Sequence, residues 1–165
     1  MIVIRSARPA DAATLPAIEV AAGALFRTIP EFAWVADEPP ATAESILPLI
    51  AAGTVWIAED GTTPAGELRA DIWDDALHIL ALAVVPEFQR RGLGRRLLDT
   101  AAAEARVRGL AALTLTTFRT VPWNGPFYVR YGFVELDRLI GRLRETLRAE
   151  TERGLRGRCA MRFAL

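Results

Sequence analysis

The run Gln89-Arg90-Arg91-Gly92-Leu93-Gly94-Arg95 lies between two segments of opposite character. Before it, Ile79 to Val85 is an almost unbroken apolar stretch, the pattern of a strand buried on both faces, and Pro86 removes a ladder donor and stops it. After it, Leu93, Leu97, Ala101 and Ala105, with Leu98 and Ala102 beside them, recur as one face of an amphipathic helix. Arg95, Arg96, Arg106 and Arg108 take the other side. The predicted order is strand, loop, helix. The first turn of a helix leaves backbone N–H groups without partners, and the peptide dipoles add partial positive charge, so that end attracts anions. Gly92 and Gly94 leave the main chain open to a bulky pyrophosphate, and the arginines add charge and planar donor forks. A tight turn with solvated arginines is the competing explanation.

Strand, Gln-Arg-Arg-Gly-Leu-Gly-Arg, helix resembles the acyl-CoA-binding motif of the GNAT superfamily, the Gcn5-related N-acetyltransferases, whose loop pattern is Gln/Arg-x-x-Gly-x-Gly/Ala. A second match follows. Asn124 and then Phe127-Tyr128-Val129-Arg130-Tyr131-Gly132-Phe133 resemble the family's later motif, an Asn followed by Phe-Tyr and Gly-Phe. With the intervening strands, the resemblance spans Trp56 to Leu136. It implies an α/β (α+β) GNAT fold. That fold has a central mixed, mostly antiparallel twisted sheet of six to seven strands with four to five flanking helices, splayed between the strands at 77–85 and 112–118.

Composition agrees with one domain over 1–165, long enough to bury roughly two-thirds of its unfolded surface without disulfides or metals. Hydrophobic residues make up 52% of the chain, so disorder is not expected. Twenty cations balance twenty anions, which gives no basic excess to suggest nucleic acid. Every cation is arginine, so a lysine Schiff base and a Walker phosphate loop are both excluded. The single cysteine, Cys159, cannot form an internal disulfide and is expected in the core. Ser6 and Ser45 are the only serines, and neither lies in a Gly-x-Ser-x-Gly turn. No metal motif appears, and Leu97 breaks the dinucleotide fingerprint. With no signal peptide or apolar span, a cytoplasmic protein that does not engage membranes is expected.

Along the chain, Met1 to Ser6 suggests a first strand, and Pro9 and Asp11 open a helix whose buried side carries Leu15, Ile18, Ala22, Leu25 and Phe26. Prolines make continuous helix unfavourable from Thr28 to Pro40. Thr42 caps a second helix that ends at Gly53. Thr54–Glu59 and Ala65–Trp73 form a hairpin whose loop, Asp60 to Pro64, is longer than the tightest type. After Gly109, Leu113–Phe118 is a strand expected beside Ile79–Val85, joined through the helix as a parallel crossover. A short helix follows at Phe127–Tyr131, then a strand from Gly132 to Leu136, a helix from Arg138 to Arg153 and a closing strand from Gly157. The narrow Leu139, Leu143, Leu147 stripe suits a solvated helix or a subunit contact, so monomer and homodimer both stand.

The resemblance also implies roles. Gln89, Arg90, Arg91, Gly92, Leu93, Gly94 and Arg95 would hold the diphosphate of acetyl-CoA, the cosubstrate, and the main chain of Leu82, Ala83 and Val84 would polarise the thioester. Asn124 would contact the pantetheine arm, although helix capping explains an Asn there equally well. Tyr128 would give the leaving thiolate its proton; packing is its other explanation. His78 falls where some histone-type members carry a glutamate base, Glu31 is the alternative base, and a water chain is a third. Two functions remain open: an N-acetyltransferase acting on a primary amine in a ternary complex, and a non-catalytic acyl-CoA-binding sensor or interaction domain.

Overall fold

A computed structural model describes the whole chain, Met1–Leu165. Seven strands and five α-helices alternate along it: β1 (Ile2–Ser6), α1 (Leu15–Gly23), α2 (Ala43–Ala51), β2 (Val55–Asp60), β3 (Thr63–Trp73), β4 (Ala76–Val84), α3 (Leu93–Val107), β5 (Ala112–Phe118), α4 (Gly125–Tyr131), β6 (Val134–Glu135), α5 (Gly141–Glu152) and β7 (Arg158–Ala164). The strands form a mixed sheet in the order β1-β2-β3-β4-β5-β7-β6. The chain divides into two compact units, Met1–Asp71 with Leu80–Ala101, and Ile72–Ile79 with Ala102–Leu165. No helix is long and apolar enough to cross a membrane.

In the first unit β2 runs antiparallel to β1 and β3, with Ile4 opposite Ala58 and Ile57 opposite Glu67. Leu15 and Ile18 of α1, Ile46 and Ile50 of α2, Val55 and Ile57 of β2, and Ala83 of β4 share one core. Arg5 bonds to Glu59 at 2.6 Å and Asp11 at 2.7 Å, tying the β1–β2 ribbon to the turn that leads into α1. Pro16 has no N–H to donate backwards, so the α-helix starts at Leu15 and the Pro9–Ala13 segment before it is a separate 3-10 turn. Between α1 and α2 the chain runs through 3-10 segments at Ala24–Thr28 and Pro30–Asp37, so Leu25 and Phe26 fall outside α1. The hairpin is tighter than its composition suggests. Asp60 pairs with Thr63 around Gly61, and a register shift between Ala58 and Glu59 absorbs the surplus residue as a bulge. The Thr42 hydroxyl caps α2 by accepting from the Ser45 N–H.

In the second unit β5 runs parallel to β4 from Ala76↔Ala112 to Ile79↔Leu115, where that ladder ends. β7 pairs antiparallel with β5 and β6. Leu93, Leu97, Leu98, Ala101, Ala102 and Ala105 of α3 are all buried, as the stripe predicts, and so is Cys159. α5 packs on β7, held by Arg158, whose guanidinium donates to Glu150 at 3.0 Å. This helix starts three residues after Arg138, at Gly141, whose own backbone is left-handed, and none of Leu139, Leu143 and Leu147 is fully buried.

Gly125 is the tightest glycine. A Cβ there would lie 2.3 Å from the Arg119 carbonyl oxygen, a backbone atom that cannot move aside without shifting β5's exit. Gly125→Ala is expected to lower unfolding free energy by about 2–3 kcal/mol in a denaturant titration, as overpacking does. A loss below about 0.5 kcal/mol would show that this turn yields.

Candidate active site

The loop after β4 is built by short local bonds. The Phe88 N–H reaches the Val85 carbonyl and the Gln89 N–H that of Pro86, which closes a single 3-10 turn. The Gln89 side chain then donates from Nε2 to the Val84 oxygen at 2.9 Å, tying the loop to the end of β4. Arg90 and Gly92 adopt left-handed backbone, φ 59° and 75°. For an arginine that conformation is uncommon and costs about 1 kcal/mol or more, and such outliers collect at ligand clamps. The Arg96 N–H bonds to the Gly92 oxygen, so the amides of Leu93, Gly94 and Arg95 precede the first helical bond. Leu93 is buried and anchors the helix end, whereas Arg90, Arg91, Gly92 and Arg95 lie at the surface. The space where a Gly92 Cβ would stand meets no protein atom. What forms is an open cradle of backbone donors flanked by guanidinium groups, chemistry that fits a diphosphate. Arg91 also lies over the Phe88 ring at 5.5 Å.

Leu82, Ala83 and Val84 end β4 beside this cradle. The Val85 N–H donates to Ala65 at 3.0 Å, and a Cβ on Gly66 would stand 2.8 Å from the Ala83 oxygen, so β3 approaches this segment closely. Only glycine allows that approach.

The second unit carries Asn124, Tyr128 and His78, and the first carries Glu31. Asn124 precedes α4, accepts the Tyr128 N–H through its backbone oxygen at 3.1 Å, and makes no side-chain capping bond. Capping therefore does not explain the amide. Tyr128 is 9% exposed, with Phe127 and Phe133 in edge contact at 5.2 and 5.5 Å. Burial raises the phenol's pKa above its ordinary value, so it stays protonated at neutral pH. His78 is 2% exposed. Its ring stacks on Trp73 at 3.6 Å, its Nδ1 lies 3.0 Å from the Thr114 hydroxyl, and Arg142 sits over the far member of the stack at 4.3 Å from the Trp73 centroid. Glu31 is exposed, in the first turn of the Pro30–Asp37 segment.

One cluster escaped sequence reading. Glu67 and Arg69 alternate on β3 and so share a face, and both are buried. Arg69 donates to Glu19 of α1 at 2.5 Å, and its Nε lies 3.1 Å from Glu67 Oε2 without the alignment of a hydrogen bond. Neither Glu67 oxygen accepts a bond. Burial, offset in part by Arg69 and reinforced by Glu19, pushes the Glu67 carboxyl up to about 7. The available signal was two charges at alternate positions in the otherwise apolar stretch Ala65 to Ala70.

Because the folded value lies above the ordinary 4.5, the neutral carboxyl contributes stability that is complete below about pH 4.5 and is lost as pH rises through 7. Relative to Glu67→Gln, the native chain should lose on the order of 2–3 kcal/mol of unfolding free energy between pH 5 and pH 8. Parallel stability profiles for the two proteins would contradict this.

The family model described as an acetyltransferase (GNAT) domain matches residues 51–135, just over half of the chain. Solved structures share the fold. PaiA N-acetyltransferase from Thermoplasma acidophilum, in complex with coenzyme A, aligns at TM-score 0.77 with 18% identity over 100% of this chain and 99% of its own. Ribosomal-protein-S18-alanine N-acetyltransferase from Escherichia coli aligns at 0.67 with 20% identity, covering 99% of this chain and 94% of its own. N-acetylglutamate synthase from Neisseria gonorrhoeae, complexed with coenzyme A and N-acetyl-glutamate, aligns at 0.71 with 23% identity over 100% of this chain but 35% of its own. The chain belongs to the GNAT acetyltransferase family.

Proposed function

We propose that the chain transfers the acetyl group of acetyl-CoA to a primary amine by direct attack within a ternary complex. The observation that carries this is the open mouth of α3, where left-handed Gly92 and the amides of Leu93, Gly94 and Arg95 fit a diphosphate beside exposed arginines. Coenzyme complexes of PaiA N-acetyltransferase and N-acetylglutamate synthase support the same donor. In this proposal the Gln89-to-Arg95 loop holds the diphosphate, the Asn124 amide meets the pantetheine arm, and main-chain N–H groups of Leu82 to Val84 polarise the thioester carbonyl. The segment between α1 and α2 forms the acceptor side. A neutral amine attacks the carbonyl carbon, the new C–N bond replaces the C–S bond, the nitrogen gives up a proton, and the departing thiolate takes one from Tyr128. Tyr128 then regains its proton from solvent. A phenol kept protonated by burial suits that step.

His78 and Glu31 are the side chains proposed for the amine's proton, with water as the third route. The Trp73 stack and the Thr114 hydroxyl fix the imidazole's orientation. A use of acetyl-CoA is consistent with a cytoplasmic protein.

Steady release of free thiol from acetyl-CoA with a primary-amine panel tests the transfer. Tyr128→Phe should lower kcat by about 10²-fold or more while acetyl-CoA still binds; unchanged turnover would remove the acid role. Binding without thiol release for any amine would favour a non-catalytic acyl-CoA-binding domain. In the pH profile of kcat/KM, loss in His78→Asn of the limb that reports the catalytic base would assign that role to His78. An unaltered limb would exclude it.

A further inference from the structure

Arg90 holds a backbone conformation that its own side chain does nothing to sustain. Its φ of 59° lies in the left-handed region, which glycine visits routinely and arginine rarely. The Arg90 side chain is exposed and makes no hydrogen bond, ion pair or ring contact. Such a conformation persists only when the surrounding structure fixes it from both sides. On the helix side Leu93 is buried and the Arg96 N–H takes the Gly92 oxygen. On the strand side the last residue before the turn is Gln89, whose main chain is extended, φ −68° and ψ 161°. Its N–H reaches the Pro86 oxygen at 3.2 Å, and its side-chain Nε2 donates to the Val84 oxygen at 2.9 Å. The N–H of that same peptide unit, on Val85, donates to the Ala65 oxygen of β3 at 3.0 Å. One peptide plane at the end of β4 is therefore gripped at both polar ends, by β3 and by the Gln89 amide.

We infer that Gln89 is a positioning residue: its side-chain amide fastens the loop to β4 and so holds Arg90 and Gly92 in the left-handed turn from which α3 begins. This rests on the acyl donor of the transferase reading and adds to it a side chain that acts through the loop backbone, not on the coenzyme. The chemistry of the bond calls for a glutamine. Nε2 is a donor, and it spans the single 3-10 turn between Val84 and Gln89. A glutamate of the same shape has only acceptors when ionised and would meet a carbonyl oxygen, while a leucine fills the space and leaves that oxygen without this partner. Released from the tether, the turn relaxes towards the right-handed backbone that an arginine prefers, and the amides of Leu93 and Gly94 lose their fixed approach. A neutral hydrogen bond of this kind shifts such an equilibrium by about three- to tenfold.

Two thioesters, acetyl-CoA and S-acetylpantetheine, separate the loop from overall folding, because only the first carries a diphosphate. In Gln89→Leu and in Gln89→Glu, calorimetric titration should show the affinity advantage of acetyl-CoA reduced by about three- to tenfold, with the dissociation constant of S-acetylpantetheine within about twofold of the native value. Gln89 is half-buried and outside the core, so neither change disturbs the packing of the fold. A second site supplies the rescue. Glycine enters the left-handed region without strain, so in an Arg90→Gly background the Gln89→Leu change should reduce the advantage by less than about twofold. Loss of the Arg90 charge is common to both arms of that comparison. An advantage unchanged in both Gln89 variants, equal weakening of the two thioesters, or the same fall with and without Arg90→Gly would overturn the positioning role and leave the diphosphate grip intact. Equal affinity of the native chain for the two thioesters would overturn both.

Discussion

A helix must leave its first amides without internal partners, and the proposed function rests on that obligation at the start of α3. The first helical bond runs from the Arg96 N–H to the Gly92 oxygen, so the amides of Leu93 and Gly94 precede it, and the chain reaches them through two left-handed residues, Arg90 and Gly92. Such a turn holds only if both ends are fixed. Leu93 is buried on one side, and on the other the Gln89 side chain bonds back to the last residue of β4. The buried leucines and alanines of α3 then keep the donors aimed. The chain belongs to the GNAT acetyltransferase family, and in the function proposed above this mouth would grip the diphosphate of its acyl donor.

Charge is divided to match. Arginines gather around the mouth of α3, and carboxylates gather between α1 and α2. Net neutrality describes neither region. The Glu19–Arg69–Glu67 cluster extends the acidic side to the interior of the first unit, where low polarity makes an unmatched charge costly. Its stabilising form depends on Glu67 keeping a proton.

The sequence made some of this legible and hid the rest for identifiable reasons. The α3 stripe was readable because six apolar positions repeat at helical spacing and each is buried. Parallel pairing of β4 with β5 followed from a crossover helix of adequate length. The hairpin loop was misjudged because Thr63 and Pro64 have loop-like composition but enter the ladder, where a bulge accommodates them. α1 came out shorter than its apolar pattern because Pro16 and the 3-10 segment after Gly23 interrupt what the spacing alone would continue. The cradle residues announced themselves as one contiguous motif. Glu19, Glu67 and Arg69 did not, since fifty positions separate Glu19 from Arg69 and no local pattern links a helix residue to a strand it later covers. Asn124 carried an ambiguity that spacing could not resolve. The absence of a side-chain capping bond removes the capping explanation.

Calorimetric titration of the intact chain with acetyl-CoA and with S-acetylpantetheine, which keeps the thioester and lacks the diphosphate, tests the central claim directly. Charge-assisted hydrogen bonds contribute about 1.5–3 kcal/mol each, so loss of the diphosphate should weaken binding by about 10²-fold or more. Equal affinity for the two thioesters, or no heat with either, would contradict a diphosphate held at the mouth of α3.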